Sequence, residues 1–298
     1  MRAIILIIIL SVATWIIVYL SKQHLTTPYS ITFAPAFQLA GLATENVNKL
    51  VSRVLPINDL DEKQLGEVIL AKKGIDLQEK HTAYLNNVLK ELQKFKKKPF
   101  KYYIVFVDLS FVNAHALPGG VIVIYSGLLK VLHSESELAA IIAHEMGHIE
   151  LNHCLDGVKF ELAAKKIHSE VLGNIADLAI EFLLRHSFSK TQEDAADEYS
   201  FNLLLQSKYD VQGVAKAFQA LYDHEKESEF RGKSQLKVTD PIRDYFMSHP
   251  YLIMRLQKFT AKSDRFYKNN PQKRYIGVKN LKNMKPFIND PYPDEWTN

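Results

Sequence analysis

Two histidines four residues apart, His144 and His148 in the stretch Ile141–Glu150 (IIAHEMGHIE), are the residues of this chain best spaced to do chemistry. On an α-helix, residues i and i+4 share one face a turn apart, so both imidazoles can reach one metal ion. Glu145 follows the first histidine and is offset by about 100° around the helix, so it can stand beside the metal instead of binding it. The chemistry of that pattern is metal-assisted hydrolysis, with two ligands and a carboxylate that takes a proton from water. The alternative is a pair of core histidines with satisfied hydrogen bonds. A helix with apolar flanks at Ile141, Ile142 and Ile149 is what a rigid ligand platform needs, and it favours the metal. Two ligands do not complete a site, so the rest of the chain must supply a third, a substrate groove and donors for transition-state charge.

The stretch Phe188–Tyr199 (FSKTQEDAADEY) carries a second i, i+4 pair, Glu193 and Asp197. Glu193 can complete a His₂Glu site with the fourth position open. Asp197, one turn on, can accept the ring N–H of a ligand histidine and so fix its tautomer and orientation. With Asp194 and Glu198 beside them, these acids also read as a charged helix face, but the histidine pair requires a partner of this kind. In SHPYLIMR, His249 and Arg255 are candidates to stabilise an oxyanion, although a histidine before a proline is also an ordinary loop residue. The hairpin Asn113–Gly120 (NAHALPGG) offers a strand, Asn113, Ala114, His115, Ala116 and Leu117, that can bind an extended peptide by strand addition. His115 reads equally as a cleft residue and as a surface one.

Composition narrows the class. A net charge of +4 is too mild to argue for nucleic acid, and no basic and aromatic strip is present. A single cysteine, Cys154, excludes an intrachain disulfide and a thiolate metal site, so any metal must use histidine and carboxylate. No internal repeat is evident.

The elements that must position these residues follow from periodicity. Ala3–Leu20 is an apolar run long enough to cross a bilayer, at roughly 27 Å of helix. No small-x-small cleavage pattern follows it, so residues 1–22 read as an uncleaved anchor. The flanking charges, Arg2 against Lys22, weakly favour a cytoplasmic N-terminus. Residues 23–57 read as a linker with a short helix, and 58–263 as the catalytic domain. The expected helices are Asp59–Lys73, Leu77–Phe95, Ser134–His153, Phe160–His186, Thr191–Gln206, Val211–Glu227 and Pro250–Lys262. The expected strands are Phe100–Val107, Val112–Leu117 and Val121–Tyr125, and Arg231–Pro241 reads as a loop. Residues 264–298, rich in proline, asparagine and basic residues, read as a solvated surface tail, with contact to anionic lipid as an alternative.

Four stretches, Asn113–Leu129, Leu138–His153, Ser189–Asp197 and Ser248–Arg255, together resemble the zinc metallopeptidases that include the CAAX prenyl proteases, HtpX and the OMA-, BepA- and LoiP-type enzymes. The resemblance implies an α+β gluzincin fold, mostly helical with a small sheet, here preceded by one transmembrane helix. It implies one zinc per subunit, held by His144, His148 and Glu193, with Glu145 as general base. It implies Asp197 behind the ligands and His249 and Arg255 near the oxyanion. Lys190 departs from the arginine common in the pattern, and the multiple membrane spans of the prenyl proteases and HtpX are missing, which points to the branch with a soluble domain.

The expected function is a membrane-anchored zinc endopeptidase for unfolded or misassembled envelope proteins. Its catalytic domain is expected to face the periplasm from the bacterial inner membrane, or to sit at the mitochondrial inner membrane. Protein substrates and the membrane are the expected partners, nucleic acid is not, and oligomeric state is open. A different class, a membrane-anchored chaperone or assembly factor using the same groove, remains the rival. Self-inhibition, with His249 or the Arg231–Pro241 loop in the open metal position, is a further alternative.

Overall fold

Asp59, Asp61 and Glu62 crowd the first turn of α1 (Asp59–Lys72), where carboxylates complement the helix dipole. The computed structural model describes residues 57–72, 79–156, 158, 162, 188–230, 249, 252–285 and 295–297. They belong to one compact unit, Val54–Asn298. The expected anchor, nearly all of the linker, the loop Arg231–Pro241 and most of the helix Phe160–His186 lie outside the described residues. Among the described residues no helix is long and apolar enough to cross a membrane.

α2 (Glu79–Leu92) buries Tyr84, Leu85, Val88, Leu89 and Leu92, the apolar face its sequence spacing predicts. It runs into a 3₁₀ turn, Gln93–Phe95. Three strands follow: β1 (Tyr103–Val107), β2 (Ala114–Leu117) and β3 (Val121–Tyr125). The sheet order is β1-β3-β2, with β1 parallel to β3 and β2 antiparallel to it. Every residue of the central strand, VIVIY, is buried, which is why it reads as an unbroken apolar run instead of an alternation. The Pro118-Gly119-Gly120 turn joins β2 to β3 and lies against α1. Gly119 has φ +76° and its Cα sits so close to Gly66 that an added Cβ would come within 2.6 Å of the Gly66 Cα.

α3 (Ser126–Val131) leads to α4 (Glu135–Glu150), the helix of the two histidines. Ser134 caps it by accepting from the Glu137 N–H. The Glu137 carboxylate turns to the His133 N–H at 2.7 Å, one residue before the position a reciprocal capping box would use. From Glu135 to Ile149 the whole helix is buried. It is the core axis, packed on α2 and the sheet on one side and on α6 (Lys190–Gln206) and α7 (Gly213–Phe230) on the other. Fully burying each of its isoleucines stabilises the fold by about 1.5–3 kcal/mol. α6 begins with a true capping box between Ser189 and Gln192. The short α5 (His153–Asp156) follows α4 after a break, where one continuous helix to His153 was expected.

α8 (Leu252–Asn269) continues past Ser263, and the chain after it docks where a solvated tail was expected. Tyr275 is 1% exposed. Arg274 fans its guanidinium over the Leu204, Leu205, Ser207 and Tyr209 carbonyls at the end of α6. The Ile276 and Gly277 carbonyls accept from the Ser136 and Glu135 N–H groups at the start of α4. Helix ends leave backbone groups unpaired, and here the segment leading into α9 (Val278–Asn283) satisfies both.

Candidate metal centre

α4 and α6 cross next to Gly147. A Cβ there would lie 3.1 Å from both the Cα and the carbonyl oxygen of Ala196, so glycine permits the approach. The Ser200 hydroxyl pins the pair by donating to the Ala140 carbonyl at 2.8 Å. This crossing carries Glu193 and Asp197 of α6 over His144 and His148 of α4. His249, which precedes α8, and Arg255 of α8 close the group from a third side.

The ring nitrogens His144 Nε2 and His148 Nε2 are 3.0 Å apart. The Glu193 carboxylate lies 3.6 Å from the first and 3.4 Å from the second. His249 Nδ1 is 2.9 Å from Glu193 Oε1 and 3.2 Å from His144 Nε2. One ligand atom from each of His144, His148, Glu193 and His249 lies within 4.8 Å of every other, and all four residues are buried. Tetrahedral zinc with bonds of roughly 2.0–2.2 Å holds its ligand atoms about 3.3 Å apart, so the separations fit such an ion. Imidazole and carboxylate are also the donor types zinc takes in a catalytic site.

Both oxygens of Glu145 are buried with no hydrogen-bond partner among the described residues, and Oε1 is 3.5 Å from His249 Nε2. Burial pushes this carboxyl above its ordinary range. A raised carboxyl with open lone pairs beside the ligand atoms is what a proton carrier requires. For Glu193, burial works upward, but the His249 and Arg255 charges outweigh it and hold the carboxyl well below the usual range. Desolvation drives the fully buried His148 well below a normal imidazole, which keeps it neutral and able to bind a metal.

Asp197 Oδ1 sits 2.9 Å from His144 Nδ1, so the ring N–H donates to it and leaves Nε2 free for the cluster. Arg255 makes a fork to the same carboxylate, Nε to Oδ2 at 2.8 Å and Nη2 to Oδ1 at 2.7 Å. Its Nη1 reaches Glu193 Oε2 at 2.9 Å and also donates to the His249 carbonyl. The guanidinium stacks over Phe218 of α7, 4.4 Å from the ring centroid. Arg255 thus ties together both acids of α6 and the residue that enters the cluster.

The strand expected to bind substrate is β2, at one edge of the sheet among the described residues, with Asn113 just before it. α4 packs against it. His115 is buried, 3% exposed, with its ring edge-on to Tyr125 and 3.3 Å from the Asn113 amide. Sequence reasoning missed Phe188, whose ring stacks on His148 with centroids 3.6 Å apart, and it missed His153. On a continuous helix His153 would point about 140° away from His148. The only local signal was Asn152, a residue that tolerates a helix-ending conformation. Long-range contacts hold this end as well. Lys98 Nζ bonds Asp59, Glu62 and Asn152, and Glu150 accepts from the Lys97 and Lys98 N–H groups and the Tyr102 hydroxyl.

The chain is similar to several known proteins. Metalloprotease LoiP of Escherichia coli is 33% identical over 120 residues, 37% of this chain and 47% of the relative. Mitochondrial metalloendopeptidase OMA1 of Arabidopsis thaliana is 27% identical over 175 residues, 53% of this chain and 33% of the relative. Beta-barrel assembly-enhancing protease of Yersinia pestis is 26% identical over 171 residues, 51% of this chain and 34% of the relative. The matches span between a third and a half of the length of these relatives. Residues 79–263, well over half of the chain and inclusive of every residue of the cluster, match Peptidase family M48, and with the metal-ligand geometry beneath that match, the chain belongs to this family.

Proposed function

We propose that this chain is a membrane-tethered zinc endopeptidase that hydrolyses peptide bonds in unfolded or misassembled proteins of a cell envelope. The observation that carries the reading is the convergence of His144, His148 and Glu193 ligand atoms with the Glu145 carboxylate beside them, which makes no hydrogen bond among the described residues. Family membership and the similarity to three proteins described as proteases or endopeptidases support it. The tether rests on the apolar run Ala3–Leu20. A relative described as mitochondrial and another as enhancing beta-barrel assembly support an association with membranes.

In this reading His144, His148 and Glu193 hold the zinc. The ion, when bound, polarises the scissile carbonyl and makes water more acidic. Glu145 takes the proton of the attacking water and delivers it to the leaving amine. Asp197 keeps His144 in the tautomer that presents Nε2, and Arg255 fixes Asp197 and Glu193 in place. An extended substrate strand pairs along Asn113–Leu117, which brings its carbonyl past Glu145. Glu145→Gln should retain zinc and lose cleavage of unfolded casein by about 10²–10⁴-fold. Full cleavage by that variant would overturn the mechanism, and rescue of a cellular phenotype by it would favour the chaperone reading.

A second reading concerns the resting state and rests on His249. Its Nδ1 lies among the ligand atoms, 2.9 Å from Glu193, where a fourth ligand would sit. A self-inhibited enzyme in which His249 must leave before substrate enters predicts that His249→Ala raises basal cleavage. A histidine that only stabilises the oxyanion predicts a loss of roughly 10²–10³-fold.

A further inference from the structure

The two ligand histidines of α4 are supported unequally, and the weaker support identifies one more residue of the metal centre. An imidazole that presents Nε2 to a metal carries its proton on Nδ1 and donates it to something. For His144 that acceptor is the Asp197 carboxylate. For His148, Nδ1 faces Nδ1 of His153 at 3.1 Å, with ring centroids 5.1 Å apart. Two facing ring nitrogens form a hydrogen bond only when one is protonated and the other is not. With the proton on His148 Nδ1, His153 Nδ1 is the acceptor and His153 carries its own proton on Nε2.

The backbone is built to bring this ring round. α4 stops at Glu150, the next two residues turn, and Asn152 adopts φ 65°, a left-handed conformation rare outside glycine and tolerated by asparagine. The Asn152 carbonyl then accepts from Leu155 N–H and Asp156 N–H, which opens α5 with His153 at its first position. The Asn152 side chain is held in turn, its Oδ1 taking a 2.7 Å hydrogen bond from the buried Lys98 ammonium. Asp156, one turn after His153, accepts from Gln192 of the α6 capping box at 3.3 Å, so the turn is tied to the helix that carries Glu193. Phe188 covers the other face of His148.

We propose that His153 is a positioning residue of the metal centre: its Nδ1 accepts the His148 Nδ1–H and so holds His148 in the tautomer and ring orientation that point Nε2 at the other ligand atoms. The Lys98–Asn152 contact positions His153 in the same way. This inference rests on the metal-site reading above.

The test is zinc affinity of the full chain, measured by competition with a chromophoric chelator, alongside the melting temperature of the zinc-free protein. His153→Ala should weaken zinc binding by about 10–100-fold while the zinc-free melting temperature stays near that of the parent. His153→Asn places an amide oxygen where Nδ1 stood and should recover affinity to within a few-fold, whereas His153→Phe, similar in size but without an acceptor, should not. Cobalt(II) in place of zinc should show an altered visible spectrum in the Ala and Phe variants and a parental one in the Asn variant. Equal zinc affinity in parent and His153→Ala would overturn the inference, as would failure of Asn to do better than Phe. If the parent binds no zinc, the metal-site reading itself fails, an outcome separate from equal binding by parent and variant.

Discussion

At the residue scale, the site is a set of buried charges that support one another. Arg255 is 2% exposed and compensates both Glu193 and Asp197, which are equally buried. Removing one partner of such a group leaves uncompensated charge out of water, which costs more than the pair ever contributed. Arg255→Met, which keeps most of the volume over Phe218, should therefore destabilise the chain by about 3–5 kcal/mol in urea unfolding. It should also weaken zinc, since two acids freed from one cation repel each other. Unchanged stability would show that the arginine only lines the site. Its candidate place near an oxyanion was read from SHPYLIMR and from the resemblance, but a sequence shows only that an arginine stands six residues after a histidine, not which carboxylates lie within its reach.

At the element scale, the decisive feature is how closely α4 and α6 approach. Gly147 is one of the unspecified positions between the two histidines, yet its missing side chain lets Ala196 and Tyr199 of α6 pack against α4. Gly147→Val should cost about 1–3 kcal/mol through overpacking and should lower zinc affinity, because it pushes Glu193 away from the histidines. A variant with parental affinity would mean that α6 can shift without moving its ligand. Here the sequence was legible in part. Helical spacing located the starts of the helices of His144, His148, Glu193 and Asp197 to within one residue, since i, i+4 pairs are written locally. The Leu151–Asn152 break that turns His153 back was not legible, because Lys98, Glu62 and Asp59 hold it from far along the chain. The docking of Arg274 and Tyr275 was hidden for the same reason. Basic and polar composition predicts solvation unless unpaired helix ends happen to lie within reach, and those are a property of the folded core.

At the scale of the whole molecule, Cys154 is placed to report whether a bound metal and the core form one cooperative unit. The thiol is 0% exposed and burial pushes its pKa well up, so it resists alkylation in the native chain. It sits immediately after His153, with its sulfur 3.6 Å from the Ala116 carbonyl of β2. A ligand that binds only the folded state stabilises it by about 2.7 kcal/mol at a hundredfold excess over its Kd. Zinc at that level should slow alkylation of Cys154 by roughly 100-fold relative to chelated protein, read by mass spectrometry over time. The same rate with and without zinc would separate the metal from the stability of the core around β2.

The segment around Arg274–Gly277 has a consequence for how the fold comes into being. The first turn of α4 and the last turn of α6 receive their capping partners from residues that a ribosome delivers long after both helices have emerged. Until then, neither ligand helix is finished at the end away from the metal. The two helices that carry the cluster are therefore capped at their far ends only after nearly the whole described chain has been made, so the order of synthesis leaves their stability to a segment that arrives late.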